Sequence, residues 1–146
     1  MGFISSAFNG SAEQQSMNAK ATQSKTNAAI ADNAAADALQ RGEQKANQAL
    51  EAGNSKQAAQ KVAYASAGVD TTSGSPATMI SQTAMISQLE SMTQRNNAAR
   101  EAYGYKVQAM QYRNQASDYE SGADAAFTSG VVGATVGGVT ALGSLI

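Results

Sequence analysis

The sequence predicts an all-α protein: a long helical hairpin with a short apolar N-terminal segment and a glycine-rich apolar C-terminal helix, assembled as an oligomer. Three observations predict it. The chain has a single proline, Pro76, and it follows a cluster of turn formers near the middle. Both flanks are long, proline-free stretches rich in alanine, glutamine, lysine and glutamate, which are good helix formers. The last 22 residues, 125–146, carry no charge.

The elements follow in order. Residues 1–10, "MGFISSAFNG", are a short apolar start in which Phe3, Ile4 and Phe8 form a small anchor. They lack the basic region and long apolar run of a secretory signal. Residues 11–67 read as one long Ala/Gln-rich helix. Met17, Ala28, Leu39 and Leu50 are spaced by eleven, and "LQRGEQK" and "LEAGNSK" share the pattern L-x-x-G-x-x-K. An eleven-residue period favours a nearly straight or slightly right-handed bundle, here a coiled oligomer in which the small residues Ala35, Gly42, Ala46 and Gly53 let helices approach closely. Residues 68–75 read as the turn. Gly68 suits the position after a helix end, and Asp70 and Gly74 are turn formers. Ser75 and Pro76 read as the cap and first residue of a second helix, 76–121. Its apolar stripe is Met85, Leu89, Met92, Ala99, Tyr103 and Met110, interrupted by Asn96, a polar residue of the kind that fixes register in a seam. With Leu39 and Leu50 these residues are the expected helix seam. A helix of this length spans about 68 Å.

Residues 122–146 form the tail. It has the length of a bilayer-spanning helix, about 20 residues. Gly133 and Gly137 have the G-x-x-x-G spacing that lets two apolar helices touch, with Gly130 and Gly138 beside them. Five glycines, three threonines and two serines among residues 125–146 make the tail only moderately hydrophobic. It suits a helix buried in a protein oligomer as well as one that meets lipid.

Composition narrows the function. Aromatic residues are 5% of the chain, and alanine supplies most of the 42% apolar content. Alanine buries little area, so the long helices are expected to gain stability from other copies or partners. The chain has no cysteine and no histidine, so thiolate, imidazole and disulfide chemistry is excluded. Asp118, Glu120 and Asp124 cluster at one helix end with no aromatic cleft for a sugar. "GVVGATVGG" lacks the lysine of a phosphate loop. The reading is therefore no enzyme, no cofactor and no metal. Arg95, Arg100, Lys106 and Arg113 interleave with Tyr103, Tyr105 and Tyr112, a mixture suited to transient DNA contact. The net charge of −1 argues against a strong nucleic-acid footprint.

Residues 65–116 resemble a family of small internal virion, or ejection, proteins of short-tailed bacteriophages. The elements that carry the resemblance are Ser66 to Asp70, Ser73 to Ser75, Asn97 and Ala98, and Glu101 to Tyr105 with Gln108 and Ala109. The resemblance implies a podovirus inner-core protein, housed in the capsid near the portal or in the tail. On infection it would leave the particle and help form a channel across the host cell envelope for genome delivery. It implies a homo-oligomer whose partners are portal, tail or larger ejection proteins and the host outer membrane. The alternative is a permanent helical component of the portal–tail region that never enters lipid.

Overall fold

A computed structural model describes the backbone of residues 3–143 and the side chains of residues 11–132. It is all-helical: α1 (Phe3–Ser66) and α2 (Gly74–Gly143) form a hairpin. Both helices run past the ends expected from sequence. The apolar start is continuous with α1, and the glycine-rich tail is continuous with α2. Nothing in either stretch stops a helix. Each glycine costs about 1 kcal/mol relative to alanine, whereas proline, which costs about 3, is absent there.

The turn is closed at both ends by local hydrogen bonds. The amide of Val69 donates to the carbonyl of Tyr64 at 2.9 Å, and that of Gly68 to Ala65 at 3.0 Å. With Gly68 at φ +71° this is a Schellman motif, which satisfies carbonyls the helix end leaves free. Asp70 organises the next residues. Its carboxylate accepts from the Thr72 amide (2.8 Å), the Thr72 hydroxyl (2.7 Å) and the Ser73 hydroxyl (3.1 Å). Gly74, at φ +68°, turns the chain into α2, so the helix begins just ahead of Ser75 and Pro76.

These bonds, the Thr72 hydroxyl first, hold the Asp70 carboxyl below its ordinary value of 3.8. A depressed carboxyl contributes stability that is present above the unfolded value and lost as pH falls through the folded one. Wild-type melting temperature is therefore expected to fall as pH drops below about 5, and Asp70→Asn to flatten that slope. Melts followed by circular dichroism across this range check it.

The chain divides into two compact units, residues 33–105 around the turn and residues 1–32 with 106–146 at the termini. In the turn unit the inward positions of α2 are Pro76, Ile80, Thr83, Ser87, Ser91, Gln94, Ala98, Ala102 and Tyr105. Their steps of four, three and four repeat every eleven residues, as Pro76, Ser87 and Ala98 mark. On α1 the corresponding marks are Gly42, Gly53 and Tyr64. Gly42 lies against Ala98 and Gly53 against Ser87, so close that a Cβ on either glycine would overlap the opposing side chain. Ala35, Ala38 and Ala102 pack together, with Tyr105 against them. Tyr64 donates to the sulfur of Met79 at 3.2 Å near the turn. The Ser91 hydroxyl is buried in this unit without a hydrogen-bond partner.

In the terminal unit the inward positions follow a seven-residue pattern instead. On α1 these are Met17, Ala21, Ser24, Ala28 and Ala31; on α2 they are Ala109, Ala116 and Ala123, with half-buried Tyr112 between them. Ala28, Ala31 and Ala109 form its core, covered by Tyr112. Met17 packs against Gly122, its sulfur 3.0 Å from where a Cβ would stand. Seven-residue spacing favours a left-handed pair and eleven-residue spacing a straight or right-handed one, so the two units use different packing rhythms.

The expected seam requires correction. Each unit of the hairpin is zipped by alanine, glycine and serine, while Leu39 is 45% exposed and Leu50 half-buried. The expected line from Met17 through Ala28 to Leu39 and Leu50 is therefore not a continuous buried face. The eleven-residue period is present, but Gly42 and Gly53 carry it. Small residues occupy the contact because only they let two backbones come this close.

Gly104 differs from the seam glycines. It is exposed, inside α2, and nothing lies within 4 Å of the position of a Cβ. Gly104→Ala is expected to stabilise the fold by about 0.8–1 kcal/mol, the difference in helix propensity. A raised melting temperature without a change in assembly state is the result to look for.

Candidate assembly surface

With small residues turned inward, most of the large apolar side chains of α2 in the turn unit are left outside, Ile80 excepted. Met85 is 68% exposed, Leu89 66%, Met92 58% and Tyr103 70%, with Ile86 at 65% beside them. Met85, Leu89, Met92, Asn96, Ala99 and Tyr103 advance by four, three, four, three and four residues. At 3.6 residues per turn they form one stripe, on the side of α2 turned away from the inward positions. Gln82, Gln88 and Ile86 flank its first half in a shallow apolar depression, and Arg100 flanks its second. Met110, the last member expected from sequence, is also exposed but belongs to the terminal unit. These residues read from sequence as a packing seam; in the hairpin its large apolar members are more than half exposed.

Among the described residues four ion pairs form within the two units. Arg95 donates to both carboxylate oxygens of Glu43, at 2.8 and 2.7 Å, and Arg41 to Glu101 at 2.9 Å. The Arg95 guanidinium holds the Glu43 carboxyl below its usual range, and Glu43 raises Arg95 in return. In the terminal unit Lys25 pairs with Glu120 and Arg113 with Asp32. Lys20 lies over the Tyr119 ring, 5.9 Å from its centre. These pairs are exposed, so each adds little stability. Their consequence is for the basic–tyrosine mixture. Two of its four cations, Arg95 and Arg113, are engaged by carboxylates, which weakens it as a phosphate-tracking surface.

The remaining candidate residues fall into two groups. Gly68, Asp70, Gly74, Ser75 and Pro76 lie at the turn described above. Gly130 is half-buried on α2. Gly133, Gly137 and Gly138 belong to the α2 backbone, but their packing lies outside the described side chains. No helix among the described residues is long and apolar enough to cross a membrane. Among those residues no group of three acidic side chains could hold a metal ion.

Comparisons with family models, with curated proteins and with solved structures give no match to this chain.

The spacing picks out the stripe but does not say whether α1 or another chain covers it. The seam that closes the hairpin had a signal of its own: alanine or glycine at Ala28, Ala31, Ala35, Ala38, Gly42, Ala46 and Gly53. Four of these, Ala35, Gly42, Ala46 and Gly53, read from sequence as close-approach positions between copies; in the hairpin they are buried, and Gly42 and Gly53 lie against α2 of the same chain.

Proposed function

We propose that this chain is an internal virion protein of a short-tailed bacteriophage, ejected on infection to help build a channel across the host envelope. One observation carries the assembly part of this reading. The turn unit closes mainly on small residues and leaves Met85, Leu89, Met92 and Tyr103 outside in a helical stripe, with Ile86 beside them. An exposed apolar stripe of this kind marks an interaction surface. The resemblance over residues 65–116 supplies the setting. Methionine suits a surface that repacks between a particle and an envelope, because it is flexible and weakly selective.

The second reading is a permanent helical collar at the portal–tail junction. It is favoured by the moderate hydrophobicity of residues 125–146, which hold five glycines, three threonines and two serines. The fate of the chain separates the two. Protein content is compared between intact particles and particles that have released DNA onto host envelope. The ejection reading expects the chain to leave and to partition with the outer membrane. Quantitative retention in the empty particle would replace it with the collar.

A further inference from the structure

We infer that the Met85–Tyr103 stripe is the seam of a parallel, in-register pair with the same stripe of a second copy. The inference rests on the assembly part of the reading above. It is tested on purified chain, so that its failure leaves the ejection test untouched.

The spacing selects the type of occupant. Steps of three and four residues sustained from Met85 to Tyr103 are the seam of a two-stranded coil, in which each knob enters a hole on a facing helix. A small ligand or a lipid surface has no use for that regularity. The available area also fits. Met85, Ile86, Leu89, Met92 and Tyr103 are 58–70% exposed. That offers roughly 600–700 Å² per copy, close to the ~800 Å² per partner of a standard interface once flanking residues are added. A net charge of −1 leaves little repulsion between copies.

Asn96 selects the partner and its direction. It sits inside the stripe, so any helix that covers the stripe covers an amide. An amide paired with a second copy of itself satisfies a donor and an acceptor together; one buried against carbon is left unsatisfied. In the parallel, in-register pair Asn96 meets Asn96. An antiparallel pair in the usual register would place Asn96 against Met92. Centring the antiparallel pair on Asn96 would bring Arg100 onto Met92. The parallel pair does place Arg95 near the partner's Arg100, but Arg95 is already held by both oxygens of Glu43. At the next position of the spacing stands Lys106, and like charges facing each other there end the seam just after Tyr103.

The chain has no cysteine, so single cysteines report neighbours directly. Met85→Cys and Met92→Cys are each expected to form a disulfide-linked dimer under mild oxidation, while Gln48→Cys, exposed on α1, does not. Leu89→Asp with Met92→Asp is expected to weaken self-association at least tenfold in sedimentation equilibrium, with helical circular dichroism unchanged. Several results would overturn the inference. One is cross-linking only when Met85→Cys is mixed with Tyr103→Cys, which marks an antiparallel pair. Another is undiminished association of the doubly charged variant. A third is a chain that stays monomeric until phosphatidylglycerol vesicles are added, which gives the stripe to lipid.

Discussion

Gly42→Ala is expected to destabilise the hairpin, although alanine is the better helix former. The propensity gain is about 1 kcal/mol. Against it stands the overlap between the new Cβ and the Ala98 Cβ on the facing helix. Both belong to regular helices, so neither can swing aside by changing rotamer; the helices must separate. Overpacking of this kind costs typically 1–3 kcal/mol, so the net loss is expected to be about 1 kcal/mol. Gly42→Leu adds more bulk at the same point and is expected to cost several kcal/mol, at the upper end of that class or beyond. The contact is pairwise, so Ala98→Gly should recover most of the loss in Gly42→Ala. Gly53→Ala should behave alike against Ser87, whose hydroxyl and Cβ both stand in the way. The opposite sign expected for Gly104→Ala is the internal control. If Gly42→Ala and Gly104→Ala raised the melting temperature equally, Gly42 would not be at a helix contact and the described seam would be wrong.

The contrast among these three glycines explains how much the sequence disclosed. The hairpin itself was legible. A lone proline preceded by Gly68, Asp70 and Gly74, between two stretches free of helix breakers, leaves few alternatives. The direction of each face was not. α2 carries two stripes with steps of three and four residues on opposite sides, one of alanine and serine and one of methionine and leucine. Hydropathy ranks the second above the first, and spacing cannot say which one meets α1. Geometry reverses the ranking, because close approach of two backbones admits only small side chains. The eleven-residue repeat shows the same inversion. Its glycines Gly42 and Gly53, expected to let helices of an oligomer approach, make that close contact with α2 of the same chain, and its leucines do not. The helix ends were misjudged for a related reason. Loss of charge after Asp124 and the apolar start before Ser11 are changes of surface chemistry, and a helical backbone continues through both.

A carboxylate placed in the alanine seam is expected to have the largest single effect in the chain. Ala35 is 1% exposed and packs with Ala38, Ala102 and Tyr105, whereas its neighbour Ala36 is exposed. Ala36→Asp changes little beyond helix propensity, a cost of about 0.7 kcal/mol or less. Ala35→Asp must either strip water from a charge or part the helices, and a buried charge without a partner costs about 3–5 kcal/mol. For a seam built from such small contacts, that is enough to separate the helices of the turn unit. The pH dependence identifies the cause. Burial raises the new carboxyl above its ordinary value, so the folded state binds its proton more readily than the unfolded one. The defect should therefore be full at neutral pH and shrink as pH falls through the raised value. The wild type should move in the opposite direction, because Asp70 and Glu43 are held below their ordinary values and lose their contribution as acid is added. Melts of wild type, Ala35→Asp and Ala36→Asp from neutral pH downward should thus converge for the Ala35 variant and run parallel for Ala36. A constant gap between wild type and Ala35→Asp at every pH would mean that the new carboxyl stays in water, and that the seam is looser than its alanines require.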